Sequence, residues 1–242
     1  MLSGSHDLMD DIQRRVNLAS AAFGRLSHRV FLNRDLTTKT KMMVYNAICI
    51  STLLYGSEAW VTYRRHIRTL ERFHISCLMR ILRLHWQQRV PHAEIRRRAG
   101  CYSIETILAA RQLRWTGHVI RMPANRLPRR VLYGELAVGG RSVGRPFKRY
   151  SDTVKTSLKK SNIDPADLET AATDRTTWRV ACRTGAAFQQ AELDQAAAER
   201  RARRHAAAAA PPTTTPDPAF RCPTCGRQCR SRIGLHSHRR TH

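Results

Sequence analysis

Four residues near the C-terminus have the types and spacing of a metal clamp. Cys222 and Cys225 are separated by two residues, His238 and His242 by three, and twelve residues lie between the two pairs. That arrangement puts two thiolates on a hairpin turn and two imidazoles one helical turn apart, so the four donors can close a tetrahedron around Zn2+. The apolar positions agree, with Phe220 two before the first cysteine and Leu235 three before the first histidine. A segment this short cannot bury enough surface to fold alone, and metal binding, ~10–16 kcal/mol in such peptides, must supply the folding energy. The expected structure of residues 220–242 is a small ββα zinc finger. Cys229 stands where such fingers usually hold an aromatic core residue. It reads as a buried thiol or as an alternative ligand.

The clamp belongs to a strongly basic chain. Its 242 residues carry 43 Lys+Arg against 18 Asp+Glu, a formal charge of +25. Such an excess repels itself unless a polyanion screens it, so nucleic acid is the expected partner. Anionic membrane is the competing polyanion, but the most apolar run, Val44 to Gly56, is about 13 residues with Asn46 inside it, too short to span a bilayer. The N-terminus has no basic segment followed by an apolar one, so no secretory signal is read. Cys49, Cys77, Cys101 and Cys182 lie singly in apolar patterns and read as small buried hydrophobes in a reducing compartment.

The elements that position these groups read as helices. Residues 6–31 place Leu8, Ile12, Val16, Ala19, Phe23, Leu26 and Val30 at steps of three and four. A second helix over about 38–55, capped by Thr37 or Thr38, is apolar around most of its girth and ends at Gly56. The third, about 62–84, carries Ile67, Leu70, His74, Cys77, Leu78 and Ile81 on one side. Arg64, Arg65, Arg68, Arg72 and Arg83 project on the other. With few acids available to neutralise them, these arginines are expected to track phosphates. Further helices are expected from Pro91 to about Ala99, from Ser103 to about Met122, near 147–160, from Pro165, and from Asp174 onward. Arg111 and Arg114 flank the apolar stripe of the 103–122 helix, and Lys148 and Arg149 extend the basic track. Residues 123–149 read as a loop-dominated basic segment, and 211–219 as a Pro/Thr tether.

Catalytic chemistry is hard to place. Met9-Asp10-Asp11 imitates the metal-binding Asp pair of reverse transcriptases, but it runs straight into a helical pattern, and first-turn helix acids explain it better. No Gly-rich phosphate loop, embedded nucleophile or paired-carboxylate centre is read. His66, His74, His85, His92 and His118 lack local partners. The chain is not expected to be an enzyme, and no small-molecule substrate is expected.

The run VNLASAAFGRLSHRVFLNRDLTTKTKMMVYNAICISTLLYGSEAW, with its LLYGSE-x-W element at Leu53 to Trp60, resembles the region after the palm in polyproteins of non-LTR (LINE-type, RTE-like) retrotransposons. LRWTGHVIRM, RPFKRYSDTVKTSLK and IDPADLETAATDRTTWR continue the likeness, and the terminal finger resembles those some of these elements carry. The resemblance implies a helical thumb that grips a primer–template duplex, followed by a basic nucleic-acid-binding segment. The family's endonuclease, fingers and palm have no counterpart in this sequence, so polymerase activity does not carry over.

The expected architecture is therefore mainly α: a thumb-like helical region (1–90), a basic helical region (91–200), an Ala/Pro/Thr linker (201–219) and a Cys2His2 zinc finger (220–242). The expected function is zinc-dependent, largely sequence-nonspecific nucleic-acid binding by a retroelement fragment, with nuclear or otherwise cytoplasmic residence. Phosphate contacts are assigned to Arg64, Arg65, Arg68, Arg72, Arg111, Arg114, Lys148 and Arg149, and in the finger to Arg232, Arg239 and Arg240. The base-reading positions of the finger hold Ser231, Gly234 and Ser237, which are poor selectors. Two other readings remain: a host zinc-finger regulator, which would need stronger base readers, and a protein-interaction adaptor.

Overall fold

The computed structural model describes residues 8–134, 148–209, 220–229 and 231–240. His242 and the segments 135–147 and 210–219 lie outside them. The chain divides into two compact units, Met1–Gln195 and Ala196–His242.

The first unit is helical. α1 (Leu8–Leu26) starts with Asp10 and Asp11 in its first turn, where negative charge suits the helix dipole, and Arg15 pairs back to Asp11 at 3.1 Å. These two acids thus serve a helix start. A π-helical turn, Ser27–Phe31, follows, and Phe31 stacks on Phe23 with ring centroids 4.3 Å apart. Thr37 caps α2 (Thr38–Val44) by accepting the Thr40 N–H at 3.2 Å. The chain then passes through a π turn, Tyr45–Ile50, into the short α3 (Ser51–Leu53). Gly56, at φ +69°, makes the left-handed stop that the LLYGSE-x-W element requires. Leu53, Leu54 and Trp60 of that element are buried, so it acts as a packed corner.

α4 (Arg64–Ile81) lies against α1, α5 (His92–Ala99) and α6 (Ile104–Ile120). α6 is the spine of the unit. Its Ile104 and Leu108 join the core formed with α1, α4 and α5, whereas Leu113 and Ile120 join a second core with Val154, Leu158, Trp178 and Cys182. The second core is completed by α7 (Leu127–Tyr133), α8 (Tyr150–Lys160), α9 (Leu168–Thr173) and α10 (Arg175–Ala209). α7 falls where a basic loop was expected. Pro128 early in that helix is compatible with helical geometry, because a first-turn N–H has no intrahelical acceptor to lose. α10 continues through 201–209, residues whose composition read as linker. Alanine and arginine are strong helix formers, and no breaker interrupts them.

Trp178 locks α10 to α6 by donating its indole N–H to the Leu113 carbonyl at 2.9 Å. Its ring fills the space above Gly117 so closely that a Cβ there would stand 2.1 Å from the indole nitrogen. Gly117→Ala therefore forces apart a fully packed contact. Overpacking of this kind destabilises by about 1–3 kcal/mol, and a thermal melt should show the midpoint fall by several degrees. An unchanged melt would mean the indole has room to move.

His74 is fully buried. Its Nδ1 is 2.9 Å from the Tyr45 hydroxyl and its Nε2 3.2 Å from the Tyr102 carbonyl. A carbonyl can only accept, so Nε2 carries the proton and Nδ1 accepts from Tyr45. The ring is neutral, and burial lowers its pKa. The unfolded chain protonates the same imidazole near pH ~6.5. Unfolding therefore takes up a proton as pH falls through that value, and stability drops there. Melts between pH 7.5 and 5 should show this loss, and His74→Gln should flatten it.

The second unit departs from the expected ββα finger. Among the described residues there is no β-strand, only an isolated antiparallel bridge between Arg221 and Gln228. Phe220 to Cys229 still doubles back, with the Cys222 N–H donating to the Arg227 carbonyl (2.8 Å) and the Cys229 N–H to the Phe220 carbonyl (3.0 Å). The arms are too short for a second bridged pair. Gly226, at φ +68°, turns the chain between them. α11 (Arg232–Arg239) follows, its start capped by the Ser231 hydroxyl accepting the Gly234 N–H at 3.1 Å.

Candidate metal centre and candidate nucleic-acid interface

The hairpin and α11 bring Cys222, Cys225 and His238 together, with their ligand atoms within 4.8 Å of one another. Cys225 Sγ is 3.0 Å from His238 Nε2. Two thiolates ~2.3 Å from a tetrahedral ion stand about 3.8 Å apart, so this donor set fits a zinc-sized cation. The metal's identity is not fixed by these three donors. The backbone N–H of Cys225, then that of Thr224, points at Cys222 and holds its thiol below the usual range, which favours the ligating thiolate. Cys229 is outside the group. Its Cβ lies near Gly234, which suits a thiol packed under the helix. His242, the fourth ligand of the sequence pattern, lies beyond the described residues.

The remaining cysteines have a different character. Burial pushes the thiols of Cys49 and Cys182 to about 11 and those of Cys77 and Cys101 to about 12. They are protonated and inert at neutral pH. Iodoacetamide at pH ~8 should therefore spare these four in the folded protein and modify Cys222, Cys225 and Cys229 once chelator has removed metal. Adding Zn2+ back should protect Cys222 and Cys225 alone. Protection of Cys229 as well would make it a ligand.

The arginines assigned to phosphate separate into two groups. Arg64, Arg68 and Arg72 are exposed on one column of α4, spaced by four residues. They line a groove of about 790 Å³ together with Met79 and Trp86. None of the three has a carboxylate partner among the described residues. The two acids of the groove are committed elsewhere: Glu71 takes the Arg96 guanidinium and the Ile104 N–H, both at 2.8 Å, and Glu105 takes Lys160. Arg65, beside the column, donates to His66 Nε2 at 3.1 Å.

Arg111 is turned inward. Its guanidinium donates to the Leu54 carbonyl at 2.8 Å and lies 4.0 Å from Glu58. It ties α6 to the LLYGSE corner, which its place beside the apolar stripe could not reveal. Arg114 is exposed, with its Nε 3.3 Å from the Ala110 carbonyl. Lys148 and Arg149 lead into α8, where the Arg149 N–H donates to Asp152 at 3.0 Å. In the second unit Arg232, Arg239 and Arg240 are exposed on and just after α11. The groove residue not expected from sequence is Trp86, 76% exposed after the end of α4. Helical periodicity gives no signal for an aromatic side chain in such a turn.

Comparison with known proteins finds one informative likeness. An uncharacterized transposon-derived protein of Caenorhabditis elegans is 25% identical over 189 residues, covering 75% of this chain and 67% of that protein. This chain is similar to a transposon-derived protein. No family model matches it, and no solved structure matches it. Among the described residues no helix is long and apolar enough to cross a membrane.

Proposed function

We propose that this chain is a zinc-dependent, largely sequence-nonspecific nucleic-acid-binding segment of a retroelement reverse transcriptase, corresponding to the thumb and the region beyond it. The observation that carries the reading is the column Arg64, Arg68 and Arg72. Like charges four residues apart on a helix are mutually destabilising by about 0.2–0.5 kcal/mol per pair. Here two such pairs stand side by side while the nearby carboxylates are bound to other partners. A column of that kind is relieved by a polyphosphate backbone, whose bound counterions are released in exchange. Likeness to a transposon-derived protein supports the same origin.

The finger adds a second contact in this reading. Cys222, Cys225, His238 and His242 would hold Zn2+, which supplies folding energy and no reaction chemistry. Arg232, Arg239 and Arg240 steer the finger to phosphates, and Arg65, Arg114, Lys148 and Arg149 extend the track on the helical unit. The Ser231 hydroxyl is engaged in capping α11, and Gly234 has no side chain, so base readout there is weak. A phosphate-tracking function follows, without catalysis.

The test is binding of the full, zinc-loaded chain to fluorescent duplex, RNA–DNA hybrid and single-stranded probes at low ionic strength. The reading expects all three to be bound, heparin to displace them, and scrambled sequences to bind equally well. Strong preference for one duplex sequence would favour a host regulator.

A further inference from the structure

Trp86 is the most exposed aromatic ring among the described residues, at 76%. Tyr55 is nearly as exposed, but the Arg15 guanidinium lies over its ring at 5.3 Å. Trp86 has no ring or guanidinium over it among the described residues. Its indole adds little to either core, yet the turn that presents it is held firmly. Where α4 stops, the Leu84 N–H donates to the Met79 carbonyl at 2.8 Å. The His85 N–H then donates to the Gln88 side chain at 3.0 Å, and the Arg89 N–H to the Trp86 carbonyl at 3.1 Å. Two residues of this turn, Arg83 at φ +55° and Arg89 at φ +47°, take the left-handed conformation that side chains other than glycine's adopt at a cost. Arg83 is fixed there by donating to the Leu32 carbonyl at 2.6 Å. The backbone is thus strained on both sides of an indole that stands in solvent.

Trp86 lines the same groove as Arg64, Arg68 and Arg72, whose floor includes Ile67 and Met79. The three arginines rise along α4 by ~6 Å per step, since each is four residues from the next. The groove, about 790 Å³, is of the size that holds a small organic ligand, and so has room for a nucleotide. A row of cations and one uncovered ring match a ligand in which phosphates and flat rings are joined in a chain. An acidic peptide would engage the cations but offers the indole no flat partner. A fully paired duplex would also leave the indole idle, because its bases are stacked on one another, whereas an unpaired base can leave its neighbours and stack on an aromatic side chain.

We propose that the α4 groove binds a single-stranded nucleic-acid segment, with an unpaired base stacked on Trp86 and neighbouring phosphates on the arginine column. This deepens the nucleic-acid-binding reading above and rests on it. Stacking of this kind tolerates any base, so no sequence preference attaches to the site.

The experiment titrates the full, zinc-loaded chain with a short oligothymidylate and, separately, with a blunt-ended duplex. Trp60 and Trp178 are buried and Trp115 is half-buried, so quenching of indole emission by the oligothymidylate should come chiefly from Trp86. Trp86→Phe should remove most of that quenching and keep most of the affinity. Trp86→Ala should bind the oligothymidylate about ten-fold more weakly, within the range of one lost base stack. Its salt slope, its blunt-duplex affinity and its melting midpoint should stay as they were, because no phosphate contact or core residue is removed. Unchanged oligothymidylate affinity in Trp86→Ala, with the duplex still held, overturns the proposal and leaves the phosphate-tracking reading standing. An equal loss on both probes also overturns it, since the indole would then serve something common to paired and unpaired strands. Quenching by an acidic amphipathic peptide and not by the oligothymidylate would make the groove a protein-docking site instead. If the chain binds neither strand, the proposal falls together with the reading beneath it.

Discussion

Replacing Arg64, Arg68 and Arg72 together with alanine should weaken duplex binding on the order of a hundred-fold at about 0.1 M salt. Each phosphate contact contributes ~0.9 to the slope of log affinity against log salt, so losing three should flatten that slope by about 2.7. The variant is informative because it should fold well. All three side chains are exposed, and none has a carboxylate partner among the described residues. Their removal relieves two like-charge pairs on α4, so the melting midpoint should stay level or rise. Arg111→Ala is the contrasting case. Its guanidinium holds the Leu54 carbonyl, and its loss should lower stability and leave the salt slope nearly unchanged. If Arg111→Ala flattened the slope and the column variant did not, the phosphate track would run over α6.

The second large effect is removal of metal. Among the described residues of 220–240, Cys222 alone is buried, while Phe220 and Leu235 are half-covered. Among the described residues there is no apolar core to hold the hairpin against α11, and one isolated bridge cannot do so. Chelation should therefore unfold this unit and lose the finger's amide dispersion in an NMR spectrum. The unfolding transition of residues 8–195 should remain in place, since none of the clustered donors lies there. Cobalt substitution should give the absorption of a tetrahedral site with two sulfur ligands, and Cys225→Ser should abolish it. A finger spectrum indifferent to chelator would show that the hairpin and helix stand without metal.

Much of this molecule was legible because its signals are local. Periodicity located α1, α4 and α6, since a helix that buries one face must repeat its apolar residues every three to four positions. Ser103 and Thr37 marked helix starts through hydroxyls that now accept backbone N–H groups. The trio Cys222, Cys225 and His238 was legible from spacing alone, because spacing on a hairpin and a helix fixes direction. What escaped was non-local. Arg111 sits on the same flank as Arg114, yet one reaches across to Leu54 and the other faces solvent. The segment containing α7 looked like loop because Pro and Arg dominate its composition, but a proline in the first helical turn is permitted. The strands expected for the finger failed for a geometric reason, as arms of that length support a single bridge. Nothing in the order of residues distinguishes Gln190, whose oxygen accepts from Ser103 and Thr106 at the start of α6, from the buried Gln189, whose amide has no partner among the described residues.

The central claim is that this protein's unpaired cations are arranged to hold a polyphosphate chain, and an ionic-strength series tests it most directly. The full, metal-loaded chain would be titrated with a labelled duplex from about 50 to 200 mM salt. The account predicts a straight log–log plot falling with a slope of several units, as expected when multiple phosphates are neutralised. A flat plot, or no binding even at the lowest salt, would contradict it.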